Sequence, residues 1–203
     1  DLVFTSAEYG LVKIYEIDYT MLEQYQNKVD AEWPIEKATL NVEMNGNISE
    51  TEEEFDSFDV VFGGGYEATV YTRGNGTHVY YGIQMDQFDI ANDAFGIQLS
   101  ELATTSSPDI RIVNYDGHDY YDGYVNFEGD WTLDSSGSNS TEYAVGHQTV
   151  EFLLPLNSTD PQDLRMMPGM NYQLRFLFWN NVQSGEPTFA APWTTFWVPV
   201  DLY

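Results

Sequence analysis

Apolar and polar positions alternate with a period of two along most of this chain, and turn-forming residues interrupt the alternation at short intervals. The clearest example is His78–Met85, where Val79, Tyr81, Ile83 and Met85 share one face. Glu67–Arg73 precedes it across Gly74-Asn75-Gly76-Thr77, a strong hairpin signal. Phe95, Ile97 and Leu99 share a face of Ala94–Leu99, and Leu40, Val42 and Met44 share one of Ala38–Met44. Further strands are expected at Asp109–Tyr115, Tyr120–Phe127, Asp130–Leu133 and Trp193–Val200.

The longest patterned stretch runs from Gly146 to Trp179. It reads as a strand (Thr149–Leu154), a polar crossing rich in Asn, Asp and Pro, then a very apolar strand ending at Phe176-Leu177-Phe178-Trp179. Its alternation places His147, Thr149 and Glu151 on an outward face. Residues 1–20 alternate loosely (Leu2, Phe4; Val12, Ile14) and read as one or two strands that a neighbouring copy could accept. Met21–Lys28 is the one plausible helical turn. Asn45–Asp59 reads as an acidic loop, and Gly63-Gly64-Gly65 lacks the flanking features of a phosphate loop.

About ten strands at roughly 8–12-residue spacing, with almost no helix, predict an all-β chain. The expected architecture is a single antiparallel β-sandwich, immunoglobulin-like or jelly-roll-like. Residues 1–20 form an N-terminal strand segment, and residues 21–203 form the sandwich domain. An aromatic content of 16% fits the pleated faces of such a fold.

Charge narrows the partners. The chain carries 33 acidic and 7 basic residues, a net charge of −26. That excludes the basic stripe that nucleic acid or an anionic membrane demands. No apolar run approaches the roughly 20 residues of a membrane helix. The absence of cysteine excludes disulfides, thiolate metal sites and a cysteine nucleophile. Sequons at Asn47, Asn75, Asn139 and Asn157 all fall in expected turns or loops, which points to an extracellular or cell-surface glycoprotein carrying N-linked glycans. The blunt start at Asp1 reads as a processed, mature form.

The quoted strands, with Trp33 after an acidic residue, Asp89 after Met85, Asn92-Asp93 before Ala94–Leu99, Thr149-Val150-Glu151-Phe152 with Pro155-Leu156, Pro168-Gly169, and Trp193 through Trp197, resemble the DOMON superfamily over about residues 30–198. Members bind haem b, bind sugars or serve as surface modules. The resemblance implies haem ligation by Met85 with His147 as the second ligand, giving an electron-transfer haem.

Other chemistry is open. Asp86, Asp89, Asn92 and Asp93 form one acidic loop suited to calcium, Asp116, Asp119 and Asp122 form another, and Asp160 with Asp163 offers a third. The five tryptophans (Trp33, Trp131, Trp179, Trp193, Trp197) offer stacking surfaces for a sugar ring. No nucleophile elbow or zinc-ligand spacing is present, so the chain is read as non-catalytic. Three functions stay open: a haem b electron-transfer module, a structural subunit of a cell-surface filament or layer assembled from copies of itself by strand donation, and a carbohydrate-binding module.

Overall fold

The computed structural model describes residues 33–35, 38–52, 54–89, 91–101, 108–114, 119–125, 131–133, 141–158, 160, 163–180, 193–195 and 197–202. The expected strands in residues 1–20 and the turn at Met21–Lys28 lie outside the described residues.

The described residues form thirteen strands: β1 (Trp33–Ile35), β2 (Asp56–Val61), β3 (Glu67–Gly74), β4 (His78–Gln84), β5 (Ala94–Glu101), β6 (Asp109–Asn114), β7 (Asp119–Val125), β8 (Trp131–Leu133), β9 (Glu142–Val145), β10 (Thr149–Pro155), β11 (Asn171–Trp179), β12 (Trp193–Thr194) and β13 (Val198–Leu202). They build two sheets. The larger has the order β1-β13-β11-β5-β6-β7-β8, with β12 also paired to β11; the smaller has the order β2-β3-β4-β10-β9. All described pairs are antiparallel except β1 with β13, which run parallel from Trp33↔Val200 to Ile35↔Leu202. The chain is an all-β sandwich, with that one parallel edge as a departure from the expected purely antiparallel sheets.

Alternation decides what lies between the sheets. Val79, Tyr81, Ile83 and Met85 face Phe95, Ile97, Leu99, Leu174, Phe176 and Phe178 in one buried cluster. Edge-to-face aromatic contacts join the layers: Phe62 meets Phe95 at 5.8 Å, and Tyr81 meets Phe176 at 6.3 Å. Each large apolar side chain removed from water here stabilises the fold by about 1.5–3 kcal/mol. The β3–β4 turn forms as its sequence predicts. Gly76 takes a φ of 89°, and the Asn75 side-chain oxygen accepts from the Thr77 and His78 amides at 3.0 and 2.9 Å.

The larger sheet is buried on its outer side as well. Ala94, Ile110, Ile112, Leu177 and Trp179 form a second cluster there. Gly96 makes room for it, because a Cβ at this position would stand 3.3 Å from the Trp179 ring.

Two expectations need correcting. Ala38–Met44 is irregular, and the tail of the expected acidic loop is strand β2. The 38–44 segment alternates well enough for a strand but pairs with no strand among the described residues. Its Ala38 amide donates to the Gly74 carbonyl (2.8 Å), and further on the Glu43 amide turns to a side chain, Glu52 (3.2 Å). Short strands β1 and β9 were not expected, since three or four residues carry too little alternation to be recognised.

Candidate functional site

Three polar constellations stand out. The first lies on the outer face of the smaller sheet. Alternation along β10 sends Glu151 outward, yet Glu151 is fully buried. The reason lies across the sheet in β4. Gly82 has no side chain, so the Tyr80 phenol lies over it in space that a Cβ would occupy. The Tyr80 hydroxyl then donates to Glu151 Oε1 at 3.0 Å. Glu151 Oε2 accepts from the backbone amides of Gly46 (2.5 Å) and Asn45 (3.2 Å). Gly46, with a φ of +81°, lies backbone to backbone against Gly146, and the Thr149 hydroxyl donates to the Gly46 carbonyl.

Glu52, also buried, accepts from the amides of Glu43 and Ser49 at 3.2 and 2.6 Å. Burial raises the Glu151 carboxyl above the ordinary range, against the pull of the Gly46 amide and the Tyr80 hydroxyl. Burial first, then the charges of Glu151 and Glu52, push the Tyr80 phenol far upward. These carboxylates are spent on backbone amides, so the constellation fastens the 43–52 segment to the sheet.

The second constellation is interior. Asp109 and Arg111 sit on the inward side of β6, and both are buried. The Arg111 guanidinium pairs with Asp109, with Asp122 of β7 and, at 2.7 Å, with Asp163 of the 157–170 crossing. Its Nε donates to the Thr141 hydroxyl at 3.3 Å. Asp109 also accepts the Leu164 amide at 3.0 Å. Burial, reinforced by Asp163, pushes Asp109 up to about 6 against the pull of Arg111. A small cavity borders this group, lined in part by Leu99, Thr141, Ser158 and Met166.

Among the described residues, Asp109, Asp122 and Asp163 are the carboxylates close enough together to share one metal ion. Arg111 already places a positive charge among them. The calcium expectation named Asp122 and Asp163, but in separate loops, and did not name Asp109. Asp86 and Asp89 are exposed, while Asp93 is buried and accepts the Asp89 amide at 2.8 Å. The Asp89 carboxylate is taken up by the Asn92 side chain (2.7 Å) and the Ala91 amide (3.0 Å). Asp89 and Asp93 are thus hydrogen-bonded within their own loop. Asp116 lies outside the described residues. Asp119 is on β7, with its side chain outside the described set.

The third constellation is on the outer face of the larger sheet. Gln98 of β5 and Arg175 of β11 are cross-strand partners. Arg175 Nε donates to Gln98 Oε1 at 2.6 Å, and the guanidinium lies 4.6 Å over the ring of Trp197. Trp197 and Arg175 are half-buried, and Gln98 is buried.

The expected haem ligands are not brought together. Met85 is 2% exposed and belongs to the core cluster, while His147 is exposed at the β9–β10 turn. The backbone joins their neighbourhoods, since the Met85 amide donates to the Gln148 carbonyl at 2.8 Å, but the two side chains lie in different environments.

Of the sequon asparagines, Asn47 and Asn157 are exposed, Asn75 is half-buried in its turn, and Asn139 lies outside the described residues. Trp179 is buried. Trp33, Trp131 and Trp193 stand on β1, β8 and β12, with side chains outside the described set. Among the described residues, no helix is long and apolar enough to cross a membrane.

No protein-family model matches the chain, and no curated protein matches it. Solved structures do. One of them is a carbohydrate binding module family 9 from Caldicellulosiruptor kristjanssonii in complex with cellotriose. It is 12% identical, covers 85% of this chain and 93% of its own, and has a TM-score of 0.47.

Proposed function

We propose that this chain is a non-catalytic, extracytoplasmic carbohydrate-binding module whose ligand lies against Trp197, Arg175 and Gln98. The observation that carries this reading is the guanidinium held by Gln98 over the Trp197 ring. A sugar ring offers apolar C–H faces and a rim of hydroxyls. Arg175 takes one face of the Trp197 ring, so the sugar's C–H face lies on what the half-exposed ring leaves open, with its hydroxyls at the guanidinium donors. Gln98 fixes the fork at Nε, which lowers the entropy lost on binding. The net charge of −26 disfavours anionic saccharides, so the ligand class is a neutral glycan.

The test is calorimetric titration of the full chain with neutral oligosaccharides chosen from a glycan array. Trp197→Ala is expected to weaken binding by about tenfold, the size of one lost aromatic contact. Equal binding by the variant, or an array with no neutral ligand, would refute the assignment.

A second reading, a structural subunit assembled by strand donation, draws on β1. This three-residue strand stands at the edge of the larger sheet, immediately after residues 1–31. No described strand lies on its outer side, and an open sheet edge is where a strand from a neighbour can add. If this holds, deleting residues 1–10 gives monomers by light scattering. Unchanged assembly of the truncated protein would count against it.

A further inference from the structure

The interior charge cluster has an imbalance that the fold must meet. Three carboxylates (Asp109, Asp122 and Asp163) surround one guanidinium, Arg111. Neutral groups also border it among the described residues: the Tyr120 phenol, which feels the charges of Arg111, Asp122 and Asp109, the Thr141 hydroxyl, and the Leu164 amide. With every acid ionised, these four side chains carry a net charge of −2 (three carboxylates, one guanidinium), with Asp109, Asp163 and Arg111 buried and Asp122 half-buried.

The cluster also links separate parts of the chain. Asp109 and Arg111 are on β6, Asp122 is on β7, and Asp163 and Leu164 belong to the long crossing between β10 and β11. Two of its contacts, Asp163 with Arg111 at 2.7 Å and the Leu164 amide with Asp109 at 3.0 Å, pin that crossing over the cavity. Just beyond them the Met166 amide donates to the Leu156 carbonyl (2.8 Å), so the crossing folds back on itself where it is pinned.

We propose that this cluster is a proton-operated latch: a proton taken up among Asp109, Asp122 and Asp163 holds the 163–166 crossing to β6, and loss of that proton loosens it. Asp109 is the group that holds the proton. Its burial and the like charge of Asp163 favour the protonated form, against the pull of Arg111 and of the Leu164 amide. The sign follows from linkage. Asp109 is raised from 3.8 to about 6, so its contribution is complete below the unfolded value and is lost as pH rises through about 6. The crossing is therefore tighter in acid and looser in alkali.

The experiment is amide hydrogen exchange on the full chain at a series of pH values, corrected for intrinsic exchange, read at Leu164 and Met166. For an open state with an ordinary carboxyl, the opening equilibrium in the wild type rises about tenfold between about pH 5 and pH 7.5. Asp109→Asn carries a permanent neutral carbonyl for the Leu164 amide and is expected to show a flat profile. Asp163→Asn removes the neighbouring charge and is expected to flatten it in part, which keeps the test decisive should the first variant fold poorly. General relief of the −26 surface charge in acid affects all three proteins alike and cancels in the comparison. Parallel profiles for wild type and both variants would overturn the latch. So would calcium at about pH 8 reproducing the acid protection, because the neutralising partner would then be a metal ion.

Discussion

Tyr80 and Tyr81 are neighbours in β4, both fully buried, and removing either hydroxyl should change stability in opposite directions. Tyr80 points outward under the 43–52 segment and donates to Glu151 at 3.0 Å. Tyr81 points inward among Phe176 and the core, and its hydroxyl has no hydrogen-bond partner among the described residues. A buried polar group without a partner costs about 1–3 kcal/mol. Tyr81→Phe removes that cost and leaves a void of only one oxygen atom, so a net gain of about 1 kcal/mol is expected. For a chain of this size that corresponds to a rise of about 2–4 °C in Tm. Tyr80→Phe leaves a buried carboxylate oxygen short of a donor and should cost about 1.5–3 kcal/mol. The assay is urea unfolding of both variants beside the wild type, with a common denaturant slope as the check that compactness has not changed. Loss of more than about 1 kcal/mol in Tyr81→Phe would refute the reasoning, because the hydroxyl would then have a partner, such as an ordered water.

Arg111→Met should be among the most damaging substitutions, since it strands the buried Asp109 and Asp163 and the half-buried Asp122; a loss of about 3–5 kcal/mol is expected in the same unfolding assay. Gly146→Ala drives a Cβ into the Gly46 backbone and should free the 43–52 segment from the sheet, seen as faster amide exchange at Asn45 and Gly46 and a loss of about 2 kcal/mol or more. Glu151→Gln should flatten part of the pH dependence of stability. A carboxyl raised by burial stabilises the fold in acid and loses that contribution as pH rises through its folded value, and the amide does not titrate.

Much of this molecule is fixed by two-residue alternation. That pattern carries the all-β class, the faces of β4, β5 and β11, and the Asn75–Gly76 hairpin, because period and turn chemistry are local properties of the chain. Alternation also reports direction correctly. Glu151 does point away from the core, and Asp109 and Arg111 share a side of β6 with Val113. It does not report what covers a face. Glu151 is buried because Gly82, some seventy residues away in sequence, lets Tyr80 lie down beside it, and because Gly46 and Gly146 allow two backbones to touch. Asp122 and Asp163 reach Arg111 only through sheet register and the path of the crossing. Met85 and His147 lie on either side of one β4–β10 pairing, yet they end in core and solvent because the sandwich closes over one face and leaves the turn outside. The local period determined the strands and their directions. Tertiary packing alone decided which polar side chains meet, because burial depends on contacts between segments far apart in the chain.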